Sequence, residues 1–166
     1  MGMFEHVGRP QYTTYFKVVS GLLSDDGIAL IHTIGHTGPP LFANPWIARY
    51  IFPGGYAPSM SEVTRAIDKV GLCINDVEVL RTHYAETLRH WHDRFSRGAD
   101  RVSAMFDERF VRMWKYYLIS MERSFREGKM VVHQYQLSKK NDVLPITRDY
   151  LYGDALVPER SRRAAQ

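Results

Sequence analysis

The spacing of apolar and polar positions divides the chain into short elements. Tyr12, Tyr15, Phe16, Val19, Leu22 and Leu23 recur at helical intervals behind Pro10, which predicts a helix over residues 10–23. Residues 1–8 read as the tail of a strand and the turn after it, punctuated by Gly8 and Pro10. Beyond the turn Ser24-Asp25-Asp26-Gly27, the run Ile28-Ala29-Leu30-Ile31-His32-Thr33 predicts a strand covered on both faces. Residues 35–43, rich in Gly and Pro, predict a loop over the end of that strand. Asn44-Pro45 caps and starts a short helix through Trp46, Ile47, Tyr50 and Ile51, and Phe52-Pro53-Gly54-Gly55 stops it. Ser59 and Ser61 both suit the N-cap of a helix over 62–70. Ser59 with Glu62 has capping-box spacing, and Gly71 ends the helix.

Residues 72–80 predict a second strand, and a helical stretch follows over 82–127. Tyr84, Leu88, Trp91 and Phe95 form one stripe of it. Gly98 breaks the run, and Phe106, Phe110, Met113, Tyr117, Met121 and Phe125 form another stripe before Gly128. Residues 130–137 alternate as a third strand. From about 141 onward Pro145, Pro158, Arg160, Arg162 and Arg163 predict a flexible tail. Strand–helix alternation argues for a sheet with helical crossovers. Three full strands are few against the roughly 5–6 of an ordinary sheet.

Composition narrows the function classes. At 166 residues, 45% of them apolar, the chain suffices for one domain with a core. The net charge of +4 is spread without a cationic block, which argues against a nucleic-acid partner. Cys73 is the single cysteine, so no internal disulfide framework and no cysteine-based metal site are expected, and a reducing, cytoplasmic setting is the default. No leader pattern opens the chain, and no apolar stretch approaches the roughly 20 residues of a membrane helix.

Candidate chemistry clusters at the strand ends, where open α/β sheets bind ligands. Glu5-His6 follows the first strand end and His32 closes the next. If those strands are neighbours, the Glu5 carboxylate and the His32 imidazole converge on one crevice, and Tyr84 adds a phenol from above. Such a trio holds a small oxyanion or moves a proton. Each residue also has a plainer reading: a solvated Glu-His pair, a hydrogen-bonded histidine, a core ring. His83, His90 and His92 do not share a helix face, so no metal site is expected there. No GxGxxG or GxxxxGK[ST] pattern and no nucleophile elbow occurs. The aromatic stripes are core, or line a slot for an acyl chain.

Phe4-Glu5-His6-Val7-Gly8, His32-Thr33-Ile34-Gly35, Pro45-Trp46-Ile47 and Tyr50-Ile51-Phe52-Pro53-Gly54-Gly55 resemble the cyclopropane-fatty-acyl-phospholipid synthase family. So do Thr87-Leu88, Trp91, Arg94-Phe95, Arg109-Phe110, Arg112-Met113-Trp114 and Tyr116-Tyr117-Leu118. The matches run in order from residue 3 to about 138. The resemblance implies an α/β fold: the carboxy-terminal part of the seven-stranded, Rossmann-like sheet of S-adenosyl-L-methionine-dependent methyltransferases. Residues 1–140 would form that part. Strands five, six and seven would be 28–33, 72–80 and 130–137, the last antiparallel between the other two. Residues 82–127 would be a helical, lipid-facing insert, and 141–166 a flexible tail.

Family members transfer the sulfonium methyl to a cis double bond of a phospholipid acyl chain. The resulting carbocation loses a proton and closes to a cyclopropane. The resemblance implies a bound bicarbonate as the base, held by the side chains of Glu5, His32 and Tyr84 and the amide of Ile34. It also implies that the cofactor-binding half lies before residue 1, that this chain needs that half for activity, and that an open sheet edge is covered by a second copy or a complementing chain. Peripheral attachment at the inner membrane surface is the matching location. The competing expectation is an inactive fragment that binds lipid or associates with itself.

Overall fold

The computed structural model describes residues 2–42 and 44–152. Its centre is a three-stranded sheet of β1 (Ile28–His36), β2 (Cys73–Val79) and β3 (Met130–Ser138), in the order β1-β3-β2. β3 lies antiparallel to both neighbours, as expected, so β1 and β2 run parallel. The register sets His32 opposite Gln134 and Ile34 opposite Val132.

Helices cover both faces. On one lie α1 (Tyr12–Leu22) and α3 (Met60–Asp68), whose Phe16, Val63 and Ile67 are buried with Ile31, Tyr135 and Leu137. Phe4 and Tyr12 join this core with rings stacked at 4.5 Å. On the other lie α2 (Pro45–Tyr50), α4 (His83–Arg97), α5 (Ala99–Met105) and α6 (Glu108–Arg126). There Leu88, Tyr117, Leu118 and Phe125 bury Val132, with Ile34 and Tyr84 packed beside them. Among the described residues no helix is long and apolar enough to cross a membrane.

Several expectations are corrected. Residues 4–6 form a turn of 3-10 helix, not a strand end, closed by hydrogen bonds from His6 N–H to Met3 and from Val7 N–H to Phe4. A single large apolar residue, Phe4, has to enter the core under α1, and a tight turn does this where no alternating pattern supports a strand. β1 runs on through Gly35 to His36 instead of giving way to a loop at 35. His36 N–H donates to Pro58 O at 3.1 Å and extends the pairing. β1 is not covered on both faces either: it is an edge strand, and Leu30 is 60% exposed. α3 starts at Met60 with Ser59 as its cap, where the Glu62 carboxylate reaches back to the Ser59 N–H at 2.9 Å. The helical insert breaks a second time before Asp107, whose Oδ1 caps α6 by accepting from Phe110 N–H at 2.6 Å.

Of the span 141–166, expected as a flexible tail, residues up to 152 are described. Arg148 pairs with Asp76 of β2 at 2.7 Å and the Tyr150 hydroxyl donates to Gln136 of β3, so residues 148–152 are tied to the sheet. Residues 153–166 lie outside the described residues.

Candidate active site

The site is built at the outer edge of β1. At Ile34 the backbone N–H has no strand partner on that side, and Glu5 supplies one. The 3-10 turn carries the Glu5 carboxylate to the strand, where Oε1 accepts from Ile34 N–H at 2.7 Å. The turn is fixed from behind by Tyr56 N–H donating to Glu5 O at 2.8 Å, and by the buried Phe4 ring. The second carboxylate oxygen, Oε2, is buried and has no hydrogen-bond partner. An unpaired buried carboxylate oxygen is costly, so its presence points to a missing donor.

His32 stands two residues before Ile34 on the same face of β1. Gln134 Nε2, which can only donate, lies 3.0 Å from His32 Nδ1. Nδ1 therefore accepts, and the neutral ring keeps its proton on Nε2, away from Gln134. Burial holds His32 below the ordinary histidine value; nearby His83 acts in the same direction and Glu5 opposes it. Tyr84, in the first turn of α4, packs its ring on Phe125 at 5.2 Å. Burial and then the Glu5 charge push its phenol upward, so it stays a protonated donor. Glu5 thus acts electrostatically on both His32 and Tyr84. The three expected side chains share one neighbourhood: one free acceptor, one imidazole N–H and one phenol O–H.

One sequence expectation takes a different form here. The Ile34 amide is bonded to Glu5, so its visible part is to hold the carboxylate. His6 does not join the site; it is exposed, with its ring against Phe52 at 6.2 Å. Gln134 was missed, because strand register is not legible from one strand's sequence. In the sequence Tyr117 stands out only as part of a stripe. It is buried, its phenol is pushed up to about 12 by burial and by Tyr84, and its ring contacts Phe52 and Trp114. From Trp114 the rings continue outward through Phe110 at 6.0 Å to Phe106 at 4.5 Å, where Phe106 is exposed. Among the described residues no group of three metal-ligating side chains forms.

A sheet whose last strand runs antiparallel between two parallel ones, with helices on both faces and a polar trio beside β1, is part of an open Rossmann-like α/β fold. The mycolic acid cyclopropane synthetase family profile matches residues 1–135, and the chain belongs to that family. Its relatives include the cyclopropane-fatty-acyl-phospholipid synthase of Escherichia coli K12, 37% identical over 139 residues that make up 84% of this chain and 36% of the relative. The tuberculostearic acid methyltransferase UfaA1 of Mycobacterium tuberculosis is 38% identical over 144 residues, 83% of this chain and 34% of the relative. The structure of the cyclopropane synthase MmaA2 from M. tuberculosis superposes with a TM-score of 0.78 at 29% identity, over 84% of this chain and 53% of that one. A structure of the mycolic acid cyclopropane synthase CmaA1, complexed with SAH and CTAB, gives 0.76 at 29% identity, over 82% of this chain and 53% of that one. The chain thus spans about a third to a half of the length of these proteins.

Proposed function

We propose that this chain carries the proton-handling and lipid-facing part of an enzyme that transfers a methyl or methylene group from S-adenosyl-L-methionine to the cis double bond of a phospholipid acyl chain. The observation that carries this reading is the divided Glu5 carboxylate, one oxygen fixed by Ile34 N–H and the other buried and unpartnered. A small oxyanion that brings one O–H of its own fits the site: its hydroxyl satisfies Glu5 Oε2, and its oxygens accept from His32 Nε2–H and Tyr84 O–H. Bicarbonate is such an anion. When bound, S-adenosyl-L-methionine supplies the electrophilic methyl and bicarbonate the base for the proton lost from the methylated chain. Glu5, His32 and Tyr84 orient that base, and the buried rings of Tyr117 and Phe125 keep water from the cationic acyl chain. No residue of this chain is assigned to S-adenosyl-L-methionine.

The aromatic row from Phe106 to Tyr117 supports an acyl-chain slot that opens at the exposed end of α5 and α6. Arg109 and Arg112, exposed next to Phe110 and Met113, suit an anionic bilayer at the inner membrane surface. The edge of β1 before Ile34, which neither Glu5 nor Pro58 covers, supports a further partner, a second copy or a complementing chain that pairs with it. Labelled methyl transfer to vesicles of cis-unsaturated phospholipid tests the reading, with the chain assayed alone and with the amino-terminal half of a full-length relative. Transfer restored by the added half is expected. No transfer and no S-adenosylhomocysteine binding in the mixture would overturn it.

A further inference from the structure

On the opposite face of the sheet, α1 and α3 border an open groove of about 300 Å³ that the transfer reaction does not use. Arg9, Arg65 and Lys69 line it against one carboxylate, Glu62, and Tyr12 and Thr13 add hydroxyls. The carboxylate is already saturated. Glu62 accepts from the Ser59 N–H at 2.9 Å, the Tyr56 hydroxyl at 2.9 Å and Arg9 at 2.6 Å. Burial pushes Glu62 up, yet these bonds outweigh it and hold the carboxyl below its ordinary value. Arg9 is thereby occupied, and its guanidinium also lies 5.4 Å from the Tyr56 ring centre.

Arg65 and Lys69 are left. They stand four residues apart on one side of α3, and the described ion pairs include no carboxylate partner for either. Two unpaired like charges at that spacing repel each other unless something negative lies between them. A second, independent observation points the same way. Tyr12, which lines the groove, is 3% exposed, and its hydroxyl is buried without a hydrogen-bond partner. A buried phenol of this kind lacks an acceptor. Burial first, with Glu62 and Tyr56 adding to it, raises the phenol well above its ordinary value, so it remains a donor.

From this groove we infer a binding site for a phosphate group, held by Arg65 and Lys69 with the Tyr12 and Thr13 hydroxyls as donors. The phosphate belongs to a free phosphorylated molecule or to a lipid headgroup; the chemistry of recognition is the same. The site stands independently of the transfer reaction and is distinct from the Glu5 site. It does touch the same segment, because Tyr12 stacks on Phe4, the residue before Glu5.

Calorimetric titration of the full chain with inorganic phosphate at fixed ionic strength tests it, with sodium chloride as the control. Saturable binding is expected, at least tenfold weaker in the double variant Arg65→Gln/Lys69→Gln, whose exposed side chains leave the core untouched. Tyr12→Phe, which keeps the stacked ring, is expected to weaken phosphate binding without lowering the melting temperature. Co-sedimentation with phosphatidylglycerol vesicles, against phosphatidylcholine alone, separates the sources. Vesicle binding lost in the double variant assigns the site to a headgroup, and phosphate binding without it assigns the site to a free phosphorylated molecule. No saturable phosphate binding, binding matched by chloride, or binding unchanged in the double variant overturns the site.

Discussion

Replacing Gly35 by alanine adds one methyl group at the most crowded point of β1. An added Cβ would lie 2.6 Å from Pro58 O and 2.7 Å from His133 Nδ1. Ordinary contact begins at 3.4 Å, so the carbonyl would have to recede by about 0.8 Å. It is not free to do so, because it accepts the His36 N–H that closes the end of β1. The His133 ring is 2% exposed and lies against Tyr135, so it cannot swing aside cheaply. Overpacking of this kind costs roughly 1–3 kcal/mol. The loss of unfolded-state freedom from Gly to Ala gives back about 0.4–1 kcal/mol. At the middle of these ranges the net loss is about 1.3 kcal/mol, and with a mid-range urea slope of about 2 kcal/mol/M the midpoint falls by roughly 0.6 M. Gly21→Ala is the matched control: nothing lies within 4 Å of its added Cβ and it sits inside α1, so the same change there stabilises by about 0.5–1 kcal/mol. A Gly35→Ala variant as stable as the parent would refute the close packing of β1, β3 and the Pro58 turn.

Glu5→Gln keeps an acceptor for Ile34 N–H but removes the charge, so stability changes by no more than about 1 kcal/mol. By NMR titration the His32 pKa falls, since the Glu5 charge that props it up is gone; an unchanged value would separate the two groups. Ser59→Ala removes the α3 cap and lowers stability by about 1 kcal/mol, read from the thermal midpoint. Burial lowers both His32 and His133, with His36 adding to the second. The unfolded chain therefore binds protons first, near pH 6.5. Stability is complete above that pH and drains away as pH falls through the folded values. Urea midpoints that stay flat between pH 8 and 5 would contradict this.

Most helices and all three strands were legible because their signals are local. The 3.6-residue stripes of α1, α4 and α6, the Ser59–Glu62 spacing and the alternation in β3 each fix an element without help from the rest of the chain. Two failures share one cause. Gly35 looks like a loop residue and Phe4-Glu5-His6 like a strand end because sequence shows a residue's propensity and not what packs on it. Gly35 stays in the strand to make room for His133 and Pro58. The candidate trio Glu5, His32 and Tyr84 was legible as residue types at strand and helix ends. That Glu5 would give one oxygen to the Ile34 N–H and keep the other unpaired depends on the edge position of β1, which only the sheet order reveals. Gln134 and the groove between α1 and α3 were out of reach for the same reason.

The most direct test of the Glu5 site is the bicarbonate dependence of methyl transfer in the complemented enzyme, measured in carbon-dioxide-stripped buffer with the parent chain and with Glu5→Gln. Saturable stimulation by bicarbonate in the parent is predicted, together with a loss of roughly a hundredfold or more in the variant, the scale of a positioned proton acceptor. Transfer that ignores bicarbonate, at an equal rate in both proteins, would contradict the assignment.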